Sequence, residues 1–143
     1  IPQVFYGDEY AMKSADRKLG HSTLRMPLPL GEAVTAEMQD MFDYQSRLFQ
    51  WRKGEPVIHT GRTMHFMSRD NTYAFFRYND GEAVFVFANA SEDNRTIPTA
   101  HYAEILGKYN PVGVDVISGK TYDLSKKDIV IAPLSSIVVK LAK

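Results

Sequence analysis

Thr72-Tyr73-Ala74-Phe75-Phe76-Arg77-Tyr78-Asn79-Asp80-Gly81-Glu82-Ala83-Val84-Phe85-Val86-Phe87-Ala88-Asn89 is the stretch that decides the fold. Over residues 72–79, Tyr73, Phe75 and Arg77 alternate with Ala74, Phe76 and Tyr78, the period of two that defines a strand. Asp80-Gly81 then supplies a two-residue hairpin turn, a strong short-range signal. The returning run, Ala83 to Ala88, is apolar on both faces. It should therefore lie in the middle of a sheet, covered from both sides.

Outward from this hairpin the pattern stays β. Residues 62–69 are β-prone, residues 91–94 form a polar turn, and residues 96–98 suit a short strand. Residues 100–109 are ambiguous between a helical turn and extended chain. A strand over 113–117 ends at Ser118-Gly119, and a short one follows over 121–124. Residues 128–132 and 136–141 read as a last hairpin around Pro133-Leu134. Ile129 and Ile131 share one face of it, as do Ile137, Val139 and Leu141. Six to eight short strands with regularly spaced turns indicate a small antiparallel sandwich. The class is mainly β, with a domain boundary near His59 to Gly61.

Upstream, residues 35–53 carry the helical signature. Thr35 is the N-cap, with Glu37 and Asp40 near the positive end of the dipole. Met38, Met41, Phe42, Tyr44, Leu48, Phe49 and Trp51 recur at spacings of three and four, a stripe best read as core packing. Trp51 as a sugar platform is the minority reading. Gly54 suits a left-handed C′ position, and Pro56 is expected to prevent the helix from resuming.

At the N-terminus, Val4-Phe5-Tyr6 reads as a strand stopped by Gly7 and followed by Asp8 and Glu9. So hydrophobic a strand belongs in a parallel sheet buried on both faces. The expectation is that the chain is the tail of something larger. Residues 7–31, with Gly20, Gly31, Pro27 and Pro29, form a long loop of the kind that is usually functional or disordered.

Composition sets few further limits. Hydrophobic residues make up 44% and charged residues 24%, ordinary for a globular chain. A formal net charge of zero and the lack of a basic run give no field favouring nucleic acid or anionic membrane. With no Cys, a disulfide framework and thiolate metal sites are excluded. The compartment stays open, because exported bacterial proteins often lack Cys too. No stretch approaches the ~18 apolar residues of a membrane span.

The candidate polar chemistry lies in the N-terminal loop. Asp8 and Glu9 are adjacent, so on a strand they point to opposite faces and cannot form a facing carboxylate pair. Asp16, Arg17 and Arg25 are further candidates. Arginine suits planar hydrogen-bonding partners, but a solvated ion pair is an equal alternative. His21, His59, His65 and His101 lack a helical i, i+4 partner or ligand cluster, so neither a metal site nor a cofactor is expected. There is no phosphate loop and no G-x-S-x-G elbow. Asn89-Ala90-Ser91 and Asn94-Arg95-Thr96 match the N-glycosylation pattern.

Three segments carry a family resemblance. IPQVFYGDEYAM is similar to the end of the eighth barrel strand, G-x-P-x-[IVL]-[FY]-Y-G-[DT]-E, in the α-amylase family of glycoside hydrolases. YQSRLFQWRKGEPVIHTG is similar to the last barrel helix and its exit, with Arg52, Pro56 and Gly61 in the motif positions. VDVISGKTYDLSKKDIVIAPLSSIVVKL resembles the C-terminal sandwich with its D-[VL]-[LI]-[ST]-G turn. Within the family, GHSTLRMPLPLG is nearest to the G-D-G-x-[IL]-R-x-D-[FM]-P-G pattern of cyclomaltodextrinase- and neopullulanase-like members. Arg25 matches its Arg, His21 stands where Asp is usual, and Pro27 is near the place of the missing second Asp.

The resemblance implies an antiparallel Greek-key sandwich over residues 61–143, preceded over residues 1–60 by the last β–α unit of a (β/α)8 barrel. It implies a parent that cleaves α-1,4-glucosidic bonds of starch, maltodextrin, cyclodextrin or pullulan with retention. The family's Asp nucleophile, Glu acid/base and second Asp come from the fourth, fifth and seventh barrel strands, before Ile1, so the chain alone is expected to be inactive. Asp8, Glu9, Asp16, Arg17, His21 and Arg25 would meet substrate in the complete barrel. A bacterial periplasmic or extracellular parent is favoured over a cytoplasmic one. Expected partners are an α-glucan through the parent and a second copy through the helix face, with no nucleic acid and no membrane insertion. In the alternative reading the sandwich is a starch-binding module, using exposed rings among Tyr73, Tyr78, Tyr102, Tyr109 and Tyr122. A freestanding sandwich of unrelated function ranks last.

Overall fold

The computed structural model describes residues 3–13, 16, 18, 21, 23 and 25–143. The chain divides into two compact units, Ile1–Gln50 and Trp51–Lys143.

In the first unit the main element is helix α1, Ala36–Lys53, whose last three residues belong to the second unit. Thr35 caps it as expected: its hydroxyl accepts from the Met38 amide at 3.3 Å. The Glu37 carboxyl is held below its usual range by its backbone amide and by the Thr35 hydroxyl. Two expectations fail here. No residue of α1 is fully buried, and Phe42 is 39% exposed, so the apolar stripe is not core in this chain. Nor is there a strand at Val4–Tyr6. Val4, Phe5 and Tyr6 are exposed, and a 3-10 turn, Asp8–Tyr10, follows directly. A strand requires a neighbour for its amides and carbonyls, and none of the described residues pairs with this segment.

In the second unit, the exit from α1 also differs. Gly54 keeps a negative φ, and its amide closes a tight turn onto the Trp51 carbonyl at 3.0 Å. Pro56 does not stop helical structure but opens a short helix α2, Pro56–Thr60. Proline is tolerated there because the first helical amide has no intrahelical acceptor anyway.

Eight strands follow: β1 Arg62–His65, β2 Thr72–Tyr78, β3 Glu82–Asn89, β4 Arg95–Thr96, β5 Val112–Asp115, β6 Thr121–Asp123, β7 Val130–Ile131 and β8 Ser135–Ala142. They make a six-stranded sheet in the order β1-β2-β3-β8-β5-β6 and a two-stranded sheet of β4 and β7, with antiparallel pairing throughout. The mainly antiparallel β class is as expected, and β3 is indeed central, flanked by β2 and β8. Between β4 and β5 the ambiguous segment is helical, as a 3-10 turn Thr99–Tyr102 and a helix α3, Ala103–Leu106.

The expected hairpin around Pro133-Leu134 does not form. β7 pairs with β4 in the small sheet, whereas β8 pairs with β3 and β5 in the large one. Leu134, at φ 49°, turns the chain from one sheet to the other, and its amide bonds the Ser91 carbonyl at 3.1 Å. Asn89 holds the crossing from β3. Its buried side-chain amide donates to the carbonyls of Asp93 and Ala132 at 2.8 and 2.9 Å. The glycosylation pattern at Asn89 therefore falls on an amide already in use.

The core lies on one face of the large sheet. Ala74, Phe76, Phe85, Phe87, Ile137, Val139 and Leu141 from the strands meet Ile97, Tyr102, Ile105, Leu124 and Ile131 from the opposing layer. Phe85 centres an aromatic cluster, stacked on Phe76 at 4.7 Å and tilted against Tyr102 at 5.4 Å. On the other face α2 places buried Val57 and Ile58 beside buried Val84. There Lys140 bridges Glu55 at 2.5 Å and Glu82 at 3.3 Å, tying the helix exit to the sheet.

The Asp115-Val116-Ile117-Ser118-Gly119 turn is organised by one buried carboxylate. Asp115 accepts from the Val138 amide at 2.7 Å, the Ser118 amide at 2.9 Å and the Ser118 hydroxyl at 2.5 Å. Gly119, at φ 74°, occupies the left-handed position that ends the turn. Beside it, β5 lies so close to β8 that a Cβ on Gly113 would sit 2.3 Å from the Lys140 carbonyl oxygen.

Two outcomes are expected. Gly113→Ala should destabilise the chain by about 1–3 kcal/mol in urea unfolding, because backbone cannot give way as a side-chain tip can. The second concerns alkaline pH. The Glu55 hydrogen bond leads in raising Lys140 above its ordinary 10.5, and burial raises Tyr102 and Tyr109 above 10.0. Groups raised on folding contribute in full below their unfolded values and lose that contribution as pH rises through the folded ones. Their share of the stability should therefore hold up to about pH 10 and fall beyond it. Unfolding midpoints across pH 7–11.5, for the chain and for Lys140→Met, would show it as a smaller alkaline loss in the variant.

Candidate functional site

The polar residues of the N-terminal loop act mainly on their own backbone. Asp8 turns back to accept from the Phe5 amide at 2.9 Å, and Glu9 accepts from the Gly7 amide at 2.8 Å. Gly7, at φ 92°, makes the reversal possible, and a Cβ there would meet the Met12 sulfur at 2.6 Å. The Gln45 side chain donates to the Asp8 carbonyl at 2.8 Å, and Tyr10 stacks on Phe42 at 5.6 Å, so the loop is fastened to α1. Further along, Asp16 accepts from the Lys18 amide at 2.8 Å, and its carbonyl accepts from the Thr23 hydroxyl. His21 and Arg25 are exposed. Arg17 lies outside the described residues. Among the described residues, no hydrogen bond or ion pair joins Asp8, Glu9, Asp16, His21 and Arg25 to one another, and no three His, Asp or Glu group together as metal ligands.

This arrangement has limited chemistry of its own. Two carboxylates each satisfied by an amide two or three residues away form no opposed acid and base.

The second unit carries a concavity the sequence reading did not single out. It measures about 450 Å³ and lies at the tip of the β1–β2 hairpin, lined by Arg69, Asp70, Asn71, Tyr73, Ala88 and Ala90 among others. The tip is tight: the Arg69 amide bonds the Thr72 carbonyl at 3.1 Å, and the Thr72 amide bonds the Arg69 carbonyl at 2.7 Å. Asp70 and Asn71 are both left-handed, at φ 49° and 58°. That is the conformation of primed hairpin turns, and Asp and Asn tolerate it better than most residues. The Asp-Asn pair was the available signal.

Of the five tyrosines considered for sugar stacking, Tyr102 and Tyr109 are buried, and Tyr78 and Tyr122 are half-buried. Tyr73 is 39% exposed. Its hydroxyl bonds His65 Nδ1 at 2.5 Å, and its ring lies 5.8 Å from that of Phe75. No helix among the described residues is long and apolar enough to cross a membrane.

Comparison with known proteins places this architecture. Residues 63–140 match the family model of the cyclo-malto-dextrinase C-terminal domain. Among solved structures, AmyP in complex with maltose is similar at a TM-score of 0.70 and 16% identity, over 95% of this chain and 30% of that one. An Anoxybacillus α-amylase is similar at a TM-score of 0.68 and 16% identity, over 96% of this chain and 28% of that one. Bacillus licheniformis trehalose-6-phosphate hydrolase is similar at a TM-score of 0.59 and 27% identity, over 72% of this chain and 18% of that one. The chain thus spans less than a third of the length of these proteins. Matched over more than half of its residues, the chain belongs to the family of cyclo-malto-dextrinase C-terminal domains, a C-terminal domain of α-amylase-family glycoside hydrolases.

Proposed function

We propose that the chain is the C-terminal part of a retaining α-glucan hydrolase acting on α-1,4-glucosidic bonds, and that its β unit serves there as a non-catalytic structural domain. The observation that carries this reading is the family match over residues 63–140. The relatives' names support the substrate class: one is an α-amylase, and another is held in complex with maltose. A structural role fits how the polar groups are used. The buried carboxylate of Asp115 and the buried amide of Asn89 are spent on backbone partners inside the domain. Asp8 and Glu9 are likewise turned onto their own loop.

A second reading, that the domain also binds carbohydrate, is favoured by the exposed Tyr73 ring beside a polar concavity.

The test of the main reading is hydrolysis. Incubated with maltodextrin or cyclomaltodextrin, the 143-residue chain should release no reducing sugar above a no-protein control. Joined to the preceding catalytic portion encoded with it, it should support cleavage with retained anomeric configuration, read by proton NMR. Release by the chain alone that is lost in Asp8→Asn or Glu9→Gln would overturn the proposal.

A further inference from the structure

The concavity at the β1–β2 tip has three properties that together specify a ligand class. First, it presents a partly exposed aromatic ring held in place. The Tyr73 ring is flanked by Phe75 at 5.8 Å and His65 at 6.3 Å, and its hydroxyl is fixed by His65 Nδ1. A ring already held in position loses little freedom when a ligand covers it.

Second, it offers side-chain donors and acceptors that make no hydrogen bond within the described fold, although the Arg69 charge also reaches the Tyr102 hydroxyl. The side chains of Arg69, Asp70 and Asn71 have no hydrogen-bond or ion-pair partner among the described residues, although all three line the concavity. Arg69 supplies a planar fork of donors, Asp70 a pair of acceptors, and Asn71 one of each. The adjacent positive and negative charges cancel, so the site attracts neither anions nor cations strongly.

Third, the frame is rigid. The Ala90 amide donates to the Asn71 carbonyl at 2.8 Å, pinning the tip to the end of β3. A bulge accommodates it. β1 and β2 pair in one register through Phe66 and Ala74, but Arg69 and Thr72 pair one residue out of that register. Bulges of this kind re-aim side chains.

A flat apolar ring bordered by neutralised donors and acceptors fits a neutral polyhydroxylated ring, whose C–H face covers the aromatic and whose hydroxyls take both kinds of hydrogen bond. We propose that this concavity is an auxiliary saccharide-binding subsite in which a glucosyl unit of an α-glucan stacks on Tyr73 and is hydrogen-bonded by Arg69, Asp70 and Asn71. The choice of glucosyl unit rests on the α-glucan reading above; the saccharide class rests on the site itself.

Affinity electrophoresis of the 143-residue chain in amylopectin gels tests it. The wild type should be retarded. Tyr73→Ala should weaken binding by about 3- to 10-fold, the worth of an aromatic contact. Tyr73→Phe, which keeps the ring, should retain most of the retardation, and Arg69→Ala should lose part of it. Circular dichroism establishes that each variant is folded. An unretarded wild type would overturn the subsite, as would equal retardation of wild type and Tyr73→Ala. Retardation by laminarin, a β-linked glucan, but not by amylopectin would overturn the α-glucan assignment. Cleavage by the longer protein is read separately, so failure here leaves the hydrolase reading standing, and failure there leaves this site standing.

Discussion

The structure depends on the pairing of β3 with β8. Their eight residues align without interruption, from Glu82 opposite Ala142 to Asn89 opposite Ser135. Each strand is apolar where it faces the core and largely covered where it does not: Phe85, Phe87, Val139 and Leu141 lie inside, and Val84 and Val138 are buried on the other face. A ladder covered from both sides excludes water from its hydrogen bonds, and a register slip of one residue would exchange the two faces. β2 and β5 take their places by pairing to this ladder, β2 on β3 and β5 on β8.

Polar groups then lock what the apolar residues gather. The Asp115 carboxylate reaches across to the Val138 amide and at the same time shapes the Ser118-Gly119 turn, so one side chain fixes both the β5–β8 pair and the return to β6. Asn89 does the same at the opposite end of β3, holding the crossing between the two sheets. Tyr109 donates to the Asn79 carbonyl at 2.5 Å, which ties the segment after α3 to the β2–β3 turn. These bonds are internal to the domain. The outward-facing rings of Tyr73 and His65 stand apart from that pattern.

Much of this was legible from local pattern. The alternation through residues 72–89 reveals β2, β3 and the central place of β3, and Thr35 marks the start of α1. The Asn79-Asp80-Gly81 turn was legible in place but not in kind. Its backbone avoids positive φ, and the Asn79 side chain accepts from the Gly81 and Glu82 amides instead. What stayed hidden depends on distant partners. β7 and β8 look like a hairpin because both alternate, yet they join different sheets, and the chain between them is held by Asn89 and Ser91, some forty residues earlier. The apolar stripe of α1 has the period of a core helix, but period alone does not supply a surface to bury it. Pro56 reads equally as a stop or as a first helical residue until the contacts of Val57 and Ile58 are known. The N-terminal polar residues carried a family resemblance but no local rule for their geometry, and the loop turned two of them onto its own amides. The concavity at Asp70-Asn71 had a turn signal and nothing that marked a site.

The central claim is that residues 51–143 are one folding unit built on the β3–β8 ladder, with Ala36–Gln50 outside it. Native-state hydrogen exchange followed by NMR tests this most directly. The account predicts that the amides of Val84, Val86, Ile137, Val139 and Leu141 exchange only through global unfolding, with a common free energy, and that those of residues 38–48 exchange through smaller, local openings. Equal protection in the helix and the ladder, or ladder amides that exchange as fast as those of the helix, would contradict it.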